Sequence, residues 1–77
     1  MTVYKIRFEG PAAIAVGVAT ALADADGVDL TSSSQPSILD ANTVELHLTA
    51  EGPRESVAGA VARIRDGLPK GASIEIE

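Results

Sequence analysis

The feature that most constrains this chain is that it repeats itself. Glu9-Gly10-Pro11 returns as Glu51-Gly52-Pro53, and at the same offset Gly17 falls on Gly59, Leu22 on Ile64 and Asp24 on Asp66. The stretches ahead of the two tripeptides correspond as well. Tyr4, Ile6 and Phe8 align with Leu46, Leu48 and Ala50, the apolar members of two alternating runs. After a short slip Gly27 meets Gly71, and Val28 and Leu30 meet Ala72 and Ile74. A repeat of about 40 residues holds a strand, a helix and a second strand, and two copies are too few for a solenoid. The chain therefore reads as one pseudo-twofold domain over 1–77, with halves 1–34 and 43–77.

Periodicity assigns the elements inside each half. From Val3 to Phe8 the alternation has period two, which puts Tyr4, Ile6 and Phe8 on one face of a strand and Lys5 and Arg7 on the other. Gly10 is expected to break that strand, with Pro11 in the first helical turn, where a missing N–H is tolerated. The alanine-rich segment from Pro11 to about Ala25 favours helix, with Ile14, Val18 and Leu22 as its core stripe and Gly27 as its stop. Val28 to about Ser34 forms a second strand with Val28 and Leu30 inward, and Gln35 to Asn42 is a polar connection containing Pro36. Thr43 to Ala50 alternates again, with Val44, Leu46 and Leu48 inward and Glu45, His47 and Thr49 outward. A second helix from Pro53 to about Gly67 gathers Val57, Ala60, Val61, Ile64 and Leu68 on one side. Ala72 to Glu77 forms the last strand, with Ile74 and Ile76 inward.

The order is βαββαβ. Right-handed crossovers place both helices on one face of a four-stranded antiparallel sheet, an α+β two-layer sandwich. Over essentially its whole length the chain resembles the ferredoxin-like fold. The first strand then lies between the third and the fourth, so Glu45 and Glu75 are expected to flank Lys5 and Arg7 across strands.

That fold hosts many functions, so the residues must discriminate among them. Six basic against eleven acidic side chains give a net charge of −5, a poor match for nucleic acid or an anionic membrane. Tyr4 and Phe8 are the only aromatics and both point inward, which leaves nothing on the sheet to stack bases as RNA-recognition motifs do. With no cysteine there is no disulfide, thiol nucleophile or thiolate metal site. The first loop, Glu9 to Ala13, lacks the Cys-x-x-Cys of heavy-metal carriers and the arginine of acylphosphatase-like enzymes. A nucleophilic triad drawn from Thr31-Ser32-Ser33-Ser34, His47 and Asp40 has no Gly-x-Ser-x-Gly elbow and puts His47 mid-strand on the outer face. The run Asp24-Ala25-Asp26-Gly27-Val28-Asp29 departs from a calcium loop, whose glycine comes sixth and whose glutamate twelfth. No catalytic residue, metal or cofactor is assigned, and no enzymatic activity is expected. No stretch approaches a membrane-spanning length or a signal peptide, which predicts a cytoplasmic location.

The first helix is the unusual element. From Pro11 through Ala23 it carries no charge, and opposite its core stripe it presents Ala12, Val16, Ala19 and Ala23, where a surface helix normally shows charged side chains. Small side chains permit close backbone approach, so this face is expected to pack on another subunit or a partner. Ile38 and Leu39, apolar within a polar connection, are assigned to the same contact. The expected function is a non-enzymatic protein-interaction or oligomerisation module, a role in which a short domain gains from partner burial. The exposed edge of the second strand is the other candidate surface.

The first-loop glycine, the apolar helix and Gly27-Val28-Asp29-Leu30 also resemble ACT domains, small βαββαβ modules that pair and bind amino acids or similar effectors between subunits. Their loop ends Pro-Gly, whereas here the order is Gly10-Pro11. The resemblance implies a small-molecule effector held at the backbone of Gly10, Pro11 and Ala12, with Val28 to Leu30 near the subunit interface.

Overall fold

The computed structural model describes residues 2–77. Its elements are β1 (Val3–Pro11), α1 (Ala12–Asp24), β2 (Asp29–Ser33), β3 (Ser37–Ile38), β4 (Thr43–Glu51), α2 (Arg54–Gly67) and β5 (Ser73–Ile76). Strands β2, β4, β1 and β5 follow one another in an antiparallel sheet, and the short β3 pairs with β4 beyond the end of β2. With two helices joining these strands in βαββαβ order, the topology is ferredoxin-like.

Alternation builds the two central strands. Ile6, Phe8 and Gly10 of β1 are buried, as are Val44, Leu46, Leu48 and Ala50 of β4, while the residues between them face outward. The strands pair along their full length, from Val3 opposite Glu51 to Pro11 opposite Thr43. Gly10 therefore does not break β1, contrary to the expectation from sequence. It pairs with Val44, and a Cβ at its position would lie 2.8 Å from both the Ala72 Cβ and the Phe8 ring. Glycine stands there because the strand is crowded. Pro11 closes the strand and serves as the N-cap of α1, its absent N–H needed by neither element.

The repeated tripeptide has a structural task in both copies. Gly52 has φ 150, and a Cβ there would collide with the carbonyl oxygen of Gly27. Gly27 itself has φ 78 and lies against Ser56. Thus Gly10 closes on the turn before β5, and Gly52 closes on the turn before β2. Each Glu-Gly-Pro clasps the other half of the repeat.

The helices cover the apolar side of the sheet. α1 packs against β1, β2 and β4, whereas the main sheet contact of α2 is with β5. Val57, Ala60 and Val61 are the buried residues of α2, with Ile64 and Leu68 half-buried. In α1 the buried residues are Ala15, Val18 and Leu22, and Ile14 is only half-buried. The difference from the expected Ile14 stripe is geometric. Two steps of four residues advance about 80° beyond two full turns, so Ile14 and Leu22 cannot both face the sheet squarely. Positions 15, 18 and 22 stay within a narrower arc. The largest fully buried side chains are Phe8, Ile6, Leu22, Leu48, Val57 and Val61, while Tyr4 and Ile76 pack half-buried at the margin.

Candidate functional site

Because α1 lies over the β2 side of the sheet and α2 over the β5 side, two stretches far apart in sequence share one flank of the molecule. These are the outer face of α1 and the free edge formed by β2 and β3. Neither residues 11–23 nor residues 30–39 contain a charged side chain. Val16 is 74% exposed, Ile38 80% and Leu39 51%, so these three are open to solvent despite their size. Ala12 and Ala23 are also exposed, whereas Ala19 is half-buried and packs against the core. Ile38 stands opposite the buried Val44 and so projects from the helix-bearing side of the sheet.

The edge is more ordered than a polar connection. Asp29, Leu30, Ser32 and Ser33 pair with β4, with a bulge at Thr31, whose hydroxyl donates to the Thr49 carbonyl at 3.1 Å. The Ser34 N–H then donates to the His47 carbonyl at 2.8 Å, and the His47 N–H donates to the Ser34 hydroxyl at 3.0 Å. After Gln35 and Pro36, Ser37 and Ile38 resume the pairing, and the Leu39 N–H donates to the Thr43 carbonyl at 2.9 Å. Within the expected polar connection from Gln35 to Asn42, Ser37 and Ile38 thus form a short strand paired with β4. Its turn is held by the Asp40 carboxylate, which accepts N–H bonds from Asn42 at 2.9 Å and Thr43 at 3.0 Å. Those bonds, the Asn42 N–H first, hold the Asp40 carboxyl below the ordinary carboxylate range.

Acidic residues stand at both ends of this uncharged flank. Asp24, Asp26 and Asp29 are exposed at one end and Asp40 at the other. Among the described residues none of the four has an ion-pair partner. In the sequence Asp24, Asp26 and Asp29 enter through the calcium-loop comparison, and Asp40 through the triad. The two charge-free windows, one bounded by Glu9 and Asp24 and the other by Asp29 and Asp40, were visible in the sequence, but their adjacency was not.

The open face of the sheet behaves differently, because Arg7 and His47 there are each set against carboxylates. Arg7 pairs with Glu75 on β5 and lies 4.0 Å from Glu9. The pairing with Glu75 raises the Arg7 pKa above its ordinary value. His47 Nε2 is 2.7 Å from Glu45, and Nδ1 is 3.7 Å from Glu77. The His47 ring beside it holds the Glu45 carboxyl low. Glu75 faces Arg7 directly, and Glu45 faces Glu9 but is near enough to Arg7 for their charges to interact, so both carboxylates flank Arg7 across strands. The ring of His47 is occupied by carboxylates, and Ser34 binds the main chain of His47. Among the described residues no hydroxyl is hydrogen-bonded to the ring.

The residues that the ACT resemblance singles out are dispersed in their exposure. Gly10 and Val28 are buried, Pro11 and Leu30 are half-buried, and Ala12 is exposed. None of them lines the two depressions found along the seam between α1 and α2, of about 420 and 510 Å³. The larger is walled by Ile14, Val18, Ile64 and Leu68. The other has Asp24, Asp26, Glu55 and Arg63 along its rim. Among the described residues, no group of three His, Asp or Glu side chains is placed to hold a metal ion, no polar side chain is buried, and no helix is long and apolar enough to cross a membrane. Comparison with protein-family models and with curated proteins found no match to this sequence.

Proposed function

We propose that this chain is a non-enzymatic protein-interaction module that meets its partner through the flank formed by α1 and the β2–β3 edge. The observation that carries this reading is the exposure of Val16, Ile38 and Leu39 within a surface that has no charged side chain from one end to the other. Depletion of charge at the centre, with charged residues at the margin, is the anatomy of protein interfaces. The other surfaces offer less. On the open sheet face Arg7 and His47 are paired with carboxylates, and among the described residues no buried ionisable group supplies the perturbed environment that catalysis uses.

The test is site-specific photo-crosslinking. A photoreactive phenylalanine analogue replaces Val16, Ile38 or, as a control on the opposite side, Lys70, and each protein is irradiated in an extract of its source cells. Discrete adducts are expected from the first two positions and not from the third. Adducts from position 70 alone, or from no position, would overturn the reading. Irradiation of the purified chain separates the two kinds of partner, because a covalent dimer identifies a second copy.

A further inference from the structure

Resting on that reading, we infer that the β2–β3 edge accepts an extended strand from a different protein, uncharged over about six residues and basic at both ends. A sheet edge exposes unpaired N–H and C=O groups, and natural proteins commonly guard it with charged side chains. This edge carries none between Asp29 and Asp40, and every residue from Thr31 to Asn42 is exposed. Its protection is limited to the bulge at Thr31 and to Pro36, which lacks an N–H. Both leave the backbone of Ser32 to Ser34 and of Ser37 to Leu39 along the path of β4. Strand addition at such an edge takes affinity from main-chain hydrogen bonds and selectivity from alternate side chains.

Register gives the length of the added strand. Asp29 lies opposite Glu51, and the Asp40 N–H donates to the Thr43 carbonyl, so the two acidic ends are separated by the whole of β4. At about 3.3 Å per residue the span is roughly 25 Å, the reach of some eight extended residues. Ile38, opposite the buried Val44, projects on the helix side of the edge, so a side chain of the incoming strand on that side would lie beside it and an apolar one is favoured there.

Charge decides between a foreign strand and a second copy. Two copies paired antiparallel along this edge bring the Asp29 end of one against the Asp40 end of the other. Parallel pairing brings Asp29 against Asp29. Acid meets acid in either case, on chains that each carry −5. A strand with lysine or arginine at both ends meets an aspartate at each end instead.

The experiment titrates the isotope-labelled full chain with the peptide Lys-Thr-Val-Thr-Val-Thr-Val-Lys and with a twin that has glutamate at both ends, following backbone amide shifts. Saturable shifts are expected at residues 29–40. Binding should be at least about tenfold tighter than for the glutamate twin at low salt, a ratio that two exposed ion pairs and their reversal can supply. The preference should shrink as salt is raised and in the Asp29→Asn, Asp40→Asn double variant, which keeps the turn acceptor at position 40. Absence of shifts along the edge at millimolar peptide, equal binding of both peptides, or shifts confined to the seam between the helices would overturn the proposal. Crosslinks from Val16 and Ile38 without peptide binding leave the flank as an interface and remove strand addition alone. A covalent dimer from the purified chain would replace the foreign strand by a second copy.

Discussion

Gly52 is the position where one methyl group does most harm. It combines φ 150 with contact against the Gly27 carbonyl, so Gly52→Ala is expected to lose about 2–4 kcal/mol in urea denaturation. Gly10→Ala meets the Ala72 Cβ and Phe8 ring without a backbone penalty and should lose about 1–3 kcal/mol. Gly17→Ala should have the opposite sign, a gain of roughly 0.5–1 kcal/mol, because its helical position opens onto empty space. A common loss at all three glycines would contradict this account. Asp40 supplies a pH-dependent contribution. Its folded pKa is lowered by the Asn42 and Thr43 hydrogen bonds, so its stabilisation is present above the unfolded carboxyl value and is lost as pH falls through the folded one. Carboxyl titration by NMR should place the midpoint below that of Asp40 in a short peptide. Asp40→Asn keeps the acceptor and should remove this part of the acid response.

Among the elements, α1 is held mainly by its packing. It has no side-chain cap, no acidic residue in its first turn and no basic residue in its last, and it ends on Asp24 against the helix dipole. Asp24→Lys should therefore raise stability by about 0.3–1 kcal/mol in thermal unfolding. The same change removes an acidic group from the end of the proposed docking flank, and weaker binding of the lysine-ended peptide should accompany the gain. Stability and binding moving together would break the assignment of that aspartate to the interface. The elements themselves were largely legible in the chain. Alternation at Tyr4-Ile6-Phe8 and Val44-Leu46-Leu48 is local, and both runs became strands. β3 was not legible, because Ser37 and Ile38 have no periodic signal and are ordered by their pairing with Glu45 and Val44.

At the scale of the whole molecule, core and flank should respond in opposite ways. A chain of 77 residues has a stability of about 4–12 kcal/mol. Phe8→Ala empties the largest fully buried site and should cost about 3–5 kcal/mol, a large part of that total, read as a marked fall in the urea midpoint. Val16→Glu lies on an exposed helix position and should leave the melting temperature within a few degrees while abolishing the crosslink from position 38. A large loss of stability in Val16→Glu would show that the side chain belongs to the core, not to an interface.

The sequence by itself determined the repeat, the order of strands and helices, the inward residues of β1 and β4, and the two windows free of charge. Each of these depends on neighbours within a few residues, where periodicity and turn chemistry act. Tertiary structure alone decided which strands adjoin and in what register. It set Glu45 opposite Glu9, placed Gly10 against Ala72 and Gly52 against Gly27, and turned Ile14 away in favour of Ala15. It also brought residues 11–23 and 30–39 onto one flank with aspartates at both ends. The physical reason is that pairing and packing join residues distant in the chain, and hydrophobic periodicity carries no record of which distant surface a given face will meet.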